Sequence, residues 1–196
     1  MTTFMYKIKP EDLHTPDQYE HIRDDEYRDV ISLERRRRLV TKTFSFLFEH
    51  PKIVVNQINE MIYLEKIHDQ EEVKDLISIY SQILPGKNEL SVTMFIEFPD
   101  EKTMISSMPR LAGIEKMVYL TFDDHSVKAI PEEGRSTATL ESTLQYLKFR
   151  FTESEKQGFL KSRNAFIETR HPLYSESARI SEELLKDLKS EINQFS

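Results

Sequence analysis

The sequence has no cysteine, only four glycines and no long apolar run. Lack of cysteine excludes disulfides, thiolate zinc sites, cysteine-ligated iron–sulfur clusters and cysteine nucleophiles. The glycines, at 86, 113, 134 and 158, stand singly. Neither a phosphate-binding P-loop nor a dinucleotide fingerprint can be built from them. There is also no Gly-x-Ser-x-Gly elbow and no His-Glu-x-x-His zinc helix. No segment approaches the roughly 18 apolar residues of a membrane span, and "MTTFMYKIKPEDLH" lacks the apolar centre of a signal peptide. A soluble, cytoplasmic protein without a membrane partner is expected.

What is present is charge, unevenly spread. Residues 1–56 hold ten basic and ten acidic groups, and residues 57–101 hold three basic and ten acidic. That second segment carries the whole net charge of −7, because the remainder is balanced. Four consecutive arginines, Arg35 to Arg38, precede it. Pairing of the two regions inside the fold is favoured over general nucleic-acid affinity, which needs a broader basic surface. No nucleic-acid partner is expected.

The local signals are mixed. Thr15-Pro16-Asp17-Gln18 starts a helix that runs to about Arg37, with Thr15 and Gln18 as a capping box. Phe44, Phe46 and Phe48 then alternate as a strand. Pro51 opens a helix expected to continue to Asp69, and Asp69 starts the next, which ends at Pro85-Gly86. Strands are expected at "ELSVTMFIEF", "KMVYLTF", "SVKAIPEE", "LQYLKFRF" and "NAFIETRH", with a terminal helix over 176–194. The sum is a single α+β domain over 1–196. It has a mostly antiparallel sheet of four to six strands packed with N-terminal, central and C-terminal helices.

The candidate site lies in "VVNQINEMIYLEKIH", residues 54–68. At helical spacing Val54, Ile58, Met61 and Ile62 form an apolar face, and Glu65 falls in its middle. Gln57 and His68 lie on one shoulder of it, and Glu60 just beyond. A carboxylate aimed into a core must be paired or protonated. One reading makes Glu65 and His68 metal ligands, joined by His50 or His14. Glu-x-x-His spacing is used by carboxylate-bridged di-iron bundles. It recurs here as Glu11/His14 and Glu168/His171, both just before prolines. The other reading makes Glu65 half of a salt bridge. On the preceding helix Arg37 shares the face of Tyr19, Val30 and Leu33, whereas Arg35 points to solvent. Arg37, with Arg36 or Arg38 as substitute, is therefore expected to meet Glu65 or Glu60, arginine being suited to bidentate carboxylate pairing. No cofactor is expected on this reading, and a divalent metal on the first. No catalytic residue is singled out.

The order "RRRR…LFEH…QINEM…LEKIHD…LPGKNELSVTMFIEF…YLKFRF" resembles an uncharacterised bacterial family, a domain of unknown function. The likeness spans about Lys9 to Lys189, with Arg36–Arg38, Phe48-Glu49, Gln57, Glu60-Met61, Glu65, Pro85-Gly86 and Glu89-Leu90 as its landmarks. Genes of that family often neighbour those for rubrerythrin-like proteins and iron–sulfur oxidoreductases. The resemblance implies a protein partner in a redox or oxidative-stress system and an accessory role. The alternative is a metal- or anion-binding enzyme using the Glu/His/Arg cluster.

Overall fold

The computed structural model describes residues 6–132 and 143–194, so the end of "SVKAIPEE" lies outside the described residues. The chain divides into two compact units. One contains residues up to Arg37 together with Glu49–Gly86, and the other Arg38–Phe48 with the residues from Lys87 onward.

The first unit is helical. Helix α1 (Pro16–Arg37) begins and ends as its sequence dictates. Gln18 N–H bonds Thr15 Oγ1 at 3.3 Å and Thr15 N–H returns to Gln18 Oε1 at 3.0 Å, which completes the capping box. Three arginines occupy the last turn, where the helix dipole favours cations. Helix α2 (Pro51–Leu64) packs along α1, and α3 (Gln70–Tyr80) follows, capped by the Asp69 carboxylate on the Glu71 and Glu72 amides. Ile53, Val54, Ile58 and Ile62 of α2 are buried, together with Tyr19 and Val30 of α1.

Helix α2 stops five residues short of its expected end. Lys66 adopts a left-handed φ of 53°, the Ile67 amide bonds Ile62 O at 2.9 Å and the Lys66 amide bonds Tyr63 O at 3.3 Å. This is a Schellman ending with lysine where glycine is usual. Sequence reading has no glycine to find there. Because Lys66 holds a backbone region that penalises a Cβ, Lys66→Gly is expected to stabilise the fold by about 0.5–1 kcal/mol. Urea denaturation checks this; a destabilised variant contradicts it.

The second unit is an eight-stranded antiparallel sheet, which corrects the expected four to six strands. Its order is β1 (Arg38–Val40), β2 (Phe44–Phe48), β3 (Glu89–Ile96), β6 (Leu144–Arg150), β5 (His125–Pro131), β4 (Val118–Phe122), β7 (Phe166–Arg170), β8 (Ser175–Arg179). Helices α4 (Glu101–Ser107), α5 (Glu153–Lys161) and α6 (Glu182–Gln194) complete it. The two strands absent from the sequence reading are the two edges. Both "RLV" and "SESAR" lack apolar alternation. The first is three residues long behind an arginine run, and the second lies where the terminal helix was expected to begin. Pairing with β2 and β7, not propensity, makes them strands.

The edges also meet, so the sheet curls into a nearly closed barrel. Glu176 on β8 accepts hydrogen bonds from Thr41 Oγ1, from the Thr43 amide at 2.9 Å and from Thr43 Oγ1 at 2.7 Å. Phe46, Val92, Leu120, Phe149 and Ile167 form its core with Leu184, Leu188 and Ile192 of α6. Helix α5 brings Phe159 edge-on to Phe122 at 5.2 Å. At Gly158 in α5 a Cβ would lie 2.6 Å from His125 Nε2, so a larger residue there requires the His125 ring to shift.

Burial raises the Glu176 pKa, but the threonine hydrogen bonds outweigh it and hold the carboxyl below its usual range. A carboxyl depressed in the folded state stabilises fully above its unfolded value of about 4.3, and loses that contribution as pH falls through the lower folded value. Glu176→Gln is therefore expected to flatten the acid limb of a stability–pH profile and to cost about 1–3 kcal/mol at neutral pH. An unchanged acid limb would count against the edge-closing role.

Candidate functional site

The polar centre of the helical unit is built on α1 and α2. Tyr19 and Arg23 are four apart and so share a face of α1; Asn56 and Glu60 do the same on α2. Arg23 grips Glu60 with both ends, Nε to Oε1 and Nη2 to Oε2, each at 2.8 Å. The Tyr19 hydroxyl, fully buried, donates to Glu60 Oε1 at 3.0 Å and accepts from Asn56 Nδ2 at 2.7 Å. The Arg23 guanidinium also lies 5.0 Å from the Tyr63 ring centre. His14 stacks on Tyr19, ring centres 6.3 Å apart, and its amide bonds Asn59 Oδ1 at 3.0 Å.

The electrostatics follow from that geometry. Arg23 holds the Glu60 carboxyl below the ordinary range, against the opposing effect of burial and with help from Tyr19. Burial first, then the neighbouring Glu60, pushes the Tyr19 phenol well above its usual value. The centre is thus a carboxylate, a guanidinium and a neutral phenol. It is a closed hydrogen-bonded set in which every Glu60 oxygen is engaged.

The four arginines part company. Arg35 and Arg36 are exposed, Arg38 is half-buried and Arg37 is 2% exposed, the largest fully buried side chain among the described residues. Its inward direction agrees with the helical geometry; its partner does not. Arg37 Nη2 donates to Glu49 O at 3.0 Å. Arg37 closes the first segment of the helical unit and Glu49 opens the second, so this bond ties the two chain ends together. Arg38 belongs to the sheet unit, stacked 4.6 Å from the Phe95 ring centre and donating to Ser45 Oγ at 3.0 Å.

The expected Arg37–Glu65 or Arg37–Glu60 pair is therefore replaced by Arg23–Glu60. Glu65 is the C-cap of α2, still in helical backbone geometry with its amide bonded to Met61 O, and its side chain is exposed. His68 is exposed in the next loop and Gln57 is half-buried on α2. His50 sits at the opposite end of the helix, where Nδ1 accepts from the Lys52 amide at 3.1 Å. Fourteen residues of helix put it about 20 Å from Glu65. Among the described residues no three His, Cys, Asp or Glu side chains gather as a metal site would need. No helix among them is long and apolar enough to cross a membrane. Sequence reasoning missed Arg23 and Tyr19 as the partners of Glu60, although their four-residue spacing on one face of α1 was a usable signal.

Residues 7–192 match the model of a family described as a protein of unknown function, DUF3501. The chain belongs to this family. A solved structure of a protein of unknown function from Burkholderia pseudomallei K96243 is similar to it, at 28% identity and a TM-score of 0.87. The match covers 97% of this chain and 100% of that one. No curated protein matches. The DUF3501 model thus spans both units, and Glu60, Arg37 and Glu176 all lie within it.

Proposed function

We propose that this DUF3501 protein is a non-catalytic accessory or interaction protein of the cytoplasm, working beside a redox or iron–sulfur system. The observation that carries the reading is the closure of the Tyr19–Arg23–Asn56–Glu60 set. Its carboxylate is filled from within the fold, as suits a scaffold more than a reacting centre. The gene neighbourhood of the family it resembles supports the redox half of the proposal.

The test is sedimentation velocity of the purified full chain with a rubrerythrin-like protein from the same organism. A discrete heterocomplex is expected. No complex, together with stoichiometric metal in untagged protein that is lost on Glu65→Ala or His68→Ala, would instead favour a metal-dependent enzyme.

A further inference from the structure

A cavity of about 310 Å³ opens in the helical unit between the turn at Pro10–Asp12, the end of α2 and the start of α3. Its wall is apolar: Leu13, Ile62, Ile67 and Val73. Ile62 and Ile67 are brought together by the same Schellman ending that cuts α2 short. Five polar side chains border it: His14, Thr15, His68, Gln70 and Lys74.

Lys74 can only donate, the Gln70 amide and each imidazole can donate as well as accept, and most of these groups lack a protein partner. Among the described residues the side chains of His68 and Gln70 and the ring nitrogens of His14 have no hydrogen-bond partner. The His14 ring is nonetheless held in place, by its stack on Tyr19 and its amide bond to Asn59. Lys74 bonds Glu71 at 2.6 Å, but that pair is 56% and 78% exposed. An exposed pair of this kind holds its partners weakly, so the ammonium can turn to a ligand. Gln70 opens α3, where the Asp69 carboxylate already caps the helix end and Glu71 and Glu72 stand in the first turn, so Lys74 is the group that answers an anion here. The opposing carboxylate, Asp69, is engaged with the Glu71 and Glu72 amides.

An apolar wall with a few convergent polar groups is the usual form of a small-molecule site, and this volume stands at its lower end. Ammonium, amide and imidazole N–H groups together match an acceptor-rich anionic head. We propose that the cavity binds a small monocarboxylic acid with a branched or aromatic apolar body. The body lies on Ile62, Ile67 and Val73, and the carboxylate lies between Lys74, His68 and Gln70. This site touches the Glu60 set through the His14–Tyr19 stack and does not depend on the accessory role.

The experiment is titration of the ¹⁵N-labelled full chain with 4-methylpentanoate and 3-phenylpropanoate, using the corresponding amides as charge controls. Saturable shifts confined to residues 13–15 and 62–74 are expected, with a Kd on the order of 1 mM for ligands of this size. The amides should bind about fivefold more weakly or worse, and Lys74→Ala and His68→Ala should each weaken the acids about threefold or more. Both side chains are exposed, so the variants keep the fold. Three outcomes would overturn the proposal. They are no saturable shift up to about 10 mM ligand, equal binding of acids and amides, or shifts at these residues with zinc ion alone.

Discussion

Arg37→Ala is expected to destabilise the protein by about 3–5 kcal/mol, while Arg35→Ala, two residues away, stays within about 0.5 kcal/mol of wild type. The contrast follows from burial. Truncating the fully buried Arg37 leaves a cavity and deprives the Glu49 carbonyl of a charged donor at the point where the two segments of the helical unit are joined. Arg37→Met, which restores volume without charge, should recover part of the loss. Arg37→Lys should not recover all of it, because a compact ammonium cannot reproduce the reach of a planar guanidinium. Urea denaturation of the four variants checks the order, and equal effects at 35 and 37 would contradict it.

Glu60→Ala is expected to cost about 2–3 kcal/mol at neutral pH. Its removal strips the Tyr19 hydroxyl of its acceptor inside the helical unit and leaves Arg23 without its bidentate partner. Glu60→Gln, which keeps an acceptor oxygen, should cost less. The pH dependence has a definite sign. Arg23 depresses the Glu60 carboxyl in the folded state, so its contribution is complete above the unfolded value of about 4.3 and declines as pH falls through the lower folded one. The difference between wild type and Glu60→Gln should therefore be constant from neutral pH down to about 5 and shrink below it. A difference that grew toward acid pH would reverse the assignment.

Much of the fold is legible in the sequence where a local rule acts alone. Pro16 and the arginine-rich last turn bound α1 correctly, and an uninterrupted helix lets rotation of 100° per residue separate the buried Arg37 from the exposed Arg35. The same arithmetic fails for Glu65. It takes the apolar face as covered along its whole length, whereas at the end of α2, where Lys66 turns the chain without a glycine to announce it, Leu64 and Glu65 are both exposed. Edge strands β1 and β8 are set by pairing and by the Glu176 bonds to Thr41 and Thr43, partners more than 130 residues apart in the chain. The match of Glu60 to Arg23 depends on the register of α1 against α2, which no single-helix projection contains.

The internal role of the Glu60 set is tested most directly by a double-mutant cycle of Tyr19→Phe and Glu60→Gln in urea denaturation. A coupling of about 1–2 kcal/mol is expected if the buried phenol and the carboxylate act as one hydrogen-bonded unit. Additive losses, within about 0.3–0.5 kcal/mol, would show that the two groups act independently and would contradict the role assigned to them.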